Sequence, residues 1–197
     1  MEFSRRDHGW LEVICGPMFS GKTEELIRRL RRALIAKQRV QAFKPAIDRR
    51  YHDARITSHS AQSVDAVPVP DVDALRDALR PDTQVVGVDE AQFFGVELLD
   101  LVQSLADSGV RVVIAGLDQD YLGRPFEPMP QLLAVAELAT KCNAVCSCCG
   151  GLASRSFRLV GGGDQVQVGA AESYEARCRA CYLAGMRQAA RRDRSAG

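Results

Sequence analysis

The stretch Gly16-Pro17-Met18-Phe19-Ser20-Gly21-Lys22-Thr23 fits G-x-x-x-x-G-K-[ST] without a mismatch, and it stands between an apolar run and an amphipathic one. Strand, glycine loop and helix in that order make a phosphate-binding loop. The glycines let backbone N–H groups turn inward around phosphate oxygens, and the helix N-terminus adds its partial positive charge. Lys22 can reach the β- and γ-phosphates of a nucleotide, and the Thr23 hydroxyl can ligate Mg²⁺. Such a loop demands a parallel sheet behind it, because its strand and helix belong to a crossover unit.

The sequence around the loop supplies that sheet. Strands are predicted over 10–15, 39–44, 84–89 and 111–117, with a further apolar stretch over 64–69. Helices are predicted over 22–36, 71–79 and 96–107. In the first of these, Leu26, Ile27, Leu30 and Leu34 fall on one face and four arginines on the other. The alternation predicts an α/β fold over residues 1–141, a P-loop NTPase-like, mostly parallel sheet with flanking helices. From 142 to 186 the chain loses helical periodicity and becomes rich in Gly and Cys, and 187–197 forms a basic polar tail. A middle segment of that kind cannot bury enough apolar surface alone and needs a staple such as a metal.

The cysteines provide one. Of the seven, Cys146 and Cys149 make one C-x-x-C knuckle and Cys178 and Cys181 another. Four thiolates so spaced suit a closed, tetrahedral, structural Zn²⁺. Cys148 leaves the choice within the first knuckle open, while the glycines at 150 and 151 favour Cys149, since the chain must turn tightly there. Cys15 and Cys142 fall in apolar strand patterns and read as buried thiols.

A phosphate loop also needs an acidic partner at a neighbouring strand end, and Val85-Val86-Gly87-Val88-Asp89 ends in one, followed at once by Glu90. Successive strand residues point to opposite sides, which predicts different tasks for the two carboxylates. Asp89 would serve Mg²⁺, and Glu90 would accept or orient a proton on an attacking hydroxyl. The same pair could also be a mere helix cap.

Composition narrows the classes. Hydrophobic residues make up 46% and charged residues 26% of 197, and the formal net charge is +1. That balance argues against a nucleic-acid-binding zinc ribbon, which would show a basic stripe. No apolar run approaches the roughly 20 residues needed to span a bilayer, and no signal-peptide core follows the N-terminus. The expectation is a cytoplasmic protein with no membrane and no nucleic-acid partner. A P-loop ATPase with a zinc ribbon is the rival enzyme reading.

Three further stretches carry a resemblance: Asp89-Glu90-Ala91-Gln92-Phe93-Phe94; Gly116-Leu117-Asp118-Gln119-Asp120-Tyr121 with Pro125-Phe126; and Tyr174 just before Cys178. With the phosphate loop and the cysteines, they make the chain closely similar to the zinc-containing thymidine kinases of cells and bacteria, over about residues 9–182. The resemblance implies transfer of phosphate from ATP to thymidine, with deoxyuridine as a second substrate, giving dTMP. It implies a zinc-tethered lasso that closes over the nucleoside, Mg²⁺ with the ATP, a homotetramer, and feedback by dTTP. It makes Glu90 the catalytic base and places Asp89 and Gln92 at the nucleotide. Asp48-Arg49-Arg50-Tyr51 is similar to the family's D-x-R-[YF], which puts Asp48 and Arg50 at the ATP site, Arg50 near the transferred phosphate. Met18, Phe93, Leu117, Tyr121, Phe126 and Tyr174 become the box around the base. Backbone groups of Gln167, Val168 and Gly169 would read the pyrimidine edge.

Overall fold

A computed structural model of the protein describes residues 8–46, 55–57, 63–159 and 173–195, the side chains of 192–195 excepted. Its centre is a six-stranded sheet. The chain enters at β1 (Trp10–Cys15), crosses by α1 (Lys22–Ile35) to β2 (Val40–Pro45), and makes a small hairpin of β3 (Arg55–Thr57) and β4 (Ser63–Asp65). It continues through β5 (Val67–Val69), α2 (Val72–Asp77), β6 (Val85–Val88), a single 3₁₀ turn over Ala91–Phe93, α3 (Glu97–Asp107) and β7 (Arg111–Gly116). Then come α4 (Met129–Val135) and β8 (Leu138–Lys141). The sheet order is β5-β2-β6-β7-β1-β8, and every neighbouring pair in it is parallel. All six strands therefore end on one edge.

The inner strands are largely apolar, with little alternation, because helices cover both faces. Leu11, Val13 and Cys15 of β1 and Val112 and Ile114 of β7 pack with Leu75, Leu98, Val102, Met129 and Leu132 of α2, α3 and α4. The residues between them, Ile14, Val113 and Ala115, pack on the other face with Leu26, Ile27, Leu30 and Ala33 of α1. Burying each large side chain contributes about 1.5–3 kcal/mol. Gly87 of β6 lies directly under α1, where a Cβ would come within 2.6 Å of Leu30 Cδ1.

Two sequence expectations are corrected by this packing. Leu34 is 48% exposed, and Ala33 takes the inward place near the end of α1. Arg29, expected on the solvent face, is buried. The cause is Glu12 in the middle of β1, whose side chain projects to the α1 face: Arg29 Nη1 lies 2.7 Å from Glu12 Oε2, and Arg111 Nε lies 2.7 Å from Glu12 Oε1. Arg29 also donates to Thr140 Oγ1 and to Glu25, so its fork is filled. The apolar stretch over 64–69 is likewise not one element. It divides at Ala66 into β4, paired antiparallel with β3, and β5, paired with β2.

The rest of the described chain is a small appendage. It comprises β9 (Ala144–Val145) and β10 (Leu152–Ala153) as one hairpin, β11 (Arg155–Arg158) paired antiparallel with β12 (Tyr174–Arg177), and α5 (Arg179–Ser195). Helix α5 runs past residue 186, so the basic tail continues the helix that starts at the second knuckle. No helix among the described residues is long and apolar enough to cross a membrane.

The Glu12 cluster generates a stability prediction. Glu12→Ala strands the buried Arg29, and the loss should be about 3–5 kcal/mol by urea unfolding. Burial alone would raise the Glu12 pKa, but the hydrogen bonds and charges of Arg111, Trp10 and Arg29 outweigh it and hold the carboxyl below its ordinary value of 4.5. Because the folded value is the lower one, the contribution is complete above 4.5 and is lost as pH falls below it. Glu12→Gln should accordingly flatten the acid side of the stability curve.

Candidate active site

At the C-terminal edge of β1 the chain closes into the loop 16–23. Gly16 has φ +145°, and a Cβ there would meet Cys142 O at 2.3 Å, so only glycine lets the loop pass the end of β8. Gly21 has φ +80° and stands at the start of α1. Phe19 is also left-handed, with φ 63°. Lys22 is buried and donates from Nζ to Pro17 O at 2.8 Å, and Ser20 Oγ donates to the same carbonyl at 2.7 Å. The loop is thus held in its turned shape by its own side chains.

The Thr23 hydroxyl reaches Asp89 Oδ2 at 3.2 Å and Oδ1 at 3.4 Å, so the residues expected at Mg²⁺ do meet. Asp89 is buried. Desolvation, then the charge of Glu90, pushes its carboxyl up to about 7, which is the environment that a bound cation would relieve. Strand β6 ends at Val88, however, and the two carboxylates do not diverge by strand alternation. Glu90 is left-handed, with φ 52° and ψ 43°, and its charge still bears on Asp89. Gln92 donates to Glu90 Oε2 at 2.5 Å and accepts from Leu117 N at 2.9 Å.

Beyond Glu90 lies an aromatic group. The rings of Phe93 and Phe126 meet edge to face at 6.2 Å. Neither they nor Leu117 belongs to the buried core. The guanidinium of Arg158 sits 4.0 Å from the centre of the Tyr121 ring and donates to the Tyr174 hydroxyl at 2.8 and 3.1 Å. The backbone N–H of Met18 donates to Ser156 Oγ at 3.0 Å, tying the phosphate loop to β11. Sequence reasoning missed Ser156 and Arg158. Both lie on a short polar strand, and their only signal was the pairing of 155–158 with 174–177, which one chain cannot reveal. Asp48, Arg50, Gln167, Val168 and Gly169 lie outside the described residues.

The Sγ atoms of Cys146, Cys149, Cys178 and Cys181 all lie within 4.8 Å of one another, whereas Cys148 is exposed and outside the group. Gly150, with φ +72°, turns the chain after Cys149 so that Cys146 N–H donates to Gly151 O at 2.7 Å. Backbone N–H groups face the sulfurs: that of Cys178, foremost, lowers the Cys146 thiol to about 6, and that of Cys181 lowers Cys178. Four convergent thiols with amide donors fit a closed tetrahedral zinc site. Cys15 is buried, as expected; Cys142 follows β8 and is only half-buried.

The thymidine kinase family model matches residues 9–182. A thymidine kinase of Bdellovibrio bacteriovorus is 57% identical over 171 residues, covering 87% of this chain and 84% of its own. A thymidine kinase of Rhodothermus sp. is 55% identical over 174 residues, covering 88% of this chain and 81% of its own. Among solved structures, domain III of the Thermotoga maritima replication initiation protein DnaA aligns with a TM-score of 0.42 at 18% identity, over 67% of this chain and 54% of that one, too slight a likeness to bear on anything here.

The cysteine geometry sets an expectation for metal content. Elemental analysis should find about one Zn²⁺ per chain, bound by the four thiolates. Cys178→Ser should lose it and leave 142–186 open to protease, because metal binding is the folding energy of such a segment. Cys148→Ser should keep it; retention in Cys149→Ser with loss in Cys148→Ser would reverse the choice of ligand.

Proposed function

Because the chain belongs to the thymidine kinase family, we propose that it transfers the γ-phosphate of ATP to the 5′-hydroxyl of thymidine, giving dTMP and ADP. The observation that carries this reading is one sheet edge on which the phosphate loop, the Thr23–Asp89 pair and Glu90 meet, with an aromatic group beside them.

The triphosphate lies along the amides of residues 16–23. Lys22 exchanges its bond to Pro17 O for phosphate oxygens. Mg²⁺, held by the Thr23 hydroxyl and through water by Asp89, would neutralise charge on the β- and γ-phosphates. Glu90, held on one oxygen by Gln92, takes the proton of the nucleoside hydroxyl. Phe93, Leu117, Tyr121, Phe126 and Tyr174, with Met18, enclose the flat base, for which aromatic faces and a small apolar niche are suited. Asp48, Arg50 and the backbone of Gln167, Val168 and Gly169 complete the site in the same proposal. Zinc in a closed thiolate site supplies structure and no chemistry. A homotetramer regulated by dTTP belongs to this reading as well.

A panel of nucleosides with ATP and Mg²⁺, scored for monophosphate, tests the proposal. Thymidine should be phosphorylated and deoxyuridine should follow, since one methyl group discriminates by only about 1–3 kcal/mol. ATP turnover indifferent to thymidine would establish the ATPase instead. Lys22→Ala should abolish product formation, and because Lys22 also closes its own loop, its melting temperature should be followed alongside. Glu90→Gln should lower kcat by about 10²–10⁴-fold with little change in the KM for ATP. Asp89→Asn should impair the handling of Mg²⁺-ATP as well; a Glu90→Gln variant that changed only the KM for ATP would exchange the two roles.

A further inference from the structure

Gln92 is buried, 4% exposed, in the single 3₁₀ turn that follows Glu90. The sense of its side-chain amide is settled by a backbone group. The N–H of Leu117 can only donate, so the Gln92 oxygen must face it, at 2.9 Å. The amide nitrogen is then the end that faces Glu90 Oε2, at 2.5 Å. Space for this is left by Gly116, where a Cβ would come within 2.9 Å of Gln92 Oε1. Both ends of the side-chain amide are thereby engaged by groups of the protein itself.

We infer that Gln92 is a positioning residue for the Glu90 carboxylate. The inference rests on the proposed role of Glu90 as the base. A carboxylate on a free glutamate rotor samples many orientations, and proton transfer demands one of them. The Gln92 amide holds one oxygen and leaves the other for the incoming hydroxyl. Its far end is anchored to Leu117, at the end of β7, in the group proposed to line the base. The carboxylate is therefore aligned to the nucleoside side of the site, whichever way the phosphate loop adjusts around ATP. The left-handed turn at Glu90 belongs to the same device, because it brings a side chain two residues upstream within reach of Gln92.

The test is a double-mutant cycle on the full chain with thymidine, ATP and Mg²⁺. Gln92→Met keeps the length and bulk of the side chain and removes both bonds. It should lower kcat by about 10–100-fold and leave the KM for ATP unchanged. In a Glu90→Ala background there is no carboxylate to align, so adding Gln92→Met should cause no further loss. Gln92→Asn, an amide too short to span both partners, serves as the second variant and should behave like Gln92→Met; melting temperatures show whether each stays folded. The inference is overturned by an unchanged kcat in the folded variants, by a raised KM for ATP with kcat intact, or by losses that multiply in the double variant. Parallel assay of the unaltered chain keeps the two levels apart: if it does not phosphorylate thymidine, the proposed function itself fails.

Discussion

The Glu12 carboxylate holds Arg29 of α1 on one oxygen and Arg111 of β7 on the other, on the sheet face that α1 covers. A buried ion pair of this kind yields little net stability, but it penalises every arrangement in which the charges do not meet. Arg29 lies about two turns into the helix that begins at the phosphate loop. Fixing it sets both the rotation and the depth of α1, and so where Lys22 and Thr23 stand. Thr23 can then meet Asp89, which follows β6, two strands away from β1 in the sheet. Geometry at the phosphate edge is thus decided partly by charges well inside the fold.

Much of this was legible in the sequence, and the failures have physical causes. The glycine loop and the gathering of four cysteines were readable because each motif is local, and its spacing is its geometry. The parallel sheet was readable because strands covered on both faces need continuous apolar runs. Arg29 was misread because helical periodicity assigns charges to solvent, and only knowledge of what lies beneath α1 would reveal a buried carboxylate. Leu34 was misread for the complementary reason: the apolar face of α1 outlasts the sheet it covers. Glu90 was expected to diverge from Asp89 by strand alternation, whereas the strand ends at Val88 and Glu90 is left-handed. Ser156 and Arg158 were invisible, since their significance lies wholly in contacts with Met18, Tyr121 and Tyr174 far along the chain.

Those last contacts join the two parts of the molecule. The cysteine knuckles have a core of only Ala144, Cys146, Ala153 and Ala176 among the described residues, with Cys178 and Cys181 packed against it. Such a core does not hold a hairpin in place by itself. The hairpin of β11 and β12 nevertheless delivers a hydroxyl to the phosphate loop and a guanidinium to two tyrosines. The Tyr182 hydroxyl, one residue beyond the last cysteine, donates to Tyr121 O at 2.8 Å and ties the knuckle to the same aromatic group. The thiols thereby shape the neighbourhood of the proposed nucleoside without touching it.

The position of β1 within the sheet also imposes an order of events. Its neighbours are β7, through pairs such as Trp10 with Arg111, and β8, through pairs such as Glu12 with Leu138. Neither exists when β1 leaves the ribosome, and neither can be replaced by β2, which sits three places away. Pairings so distant in sequence must close long loops before they gain anything, and they form late. The phosphate loop is therefore translated early yet completed only when residues 138–141 have arrived. Until then the apolar faces of β1 and α1 stand uncovered, in the state on which chaperones act and from which aggregation starts.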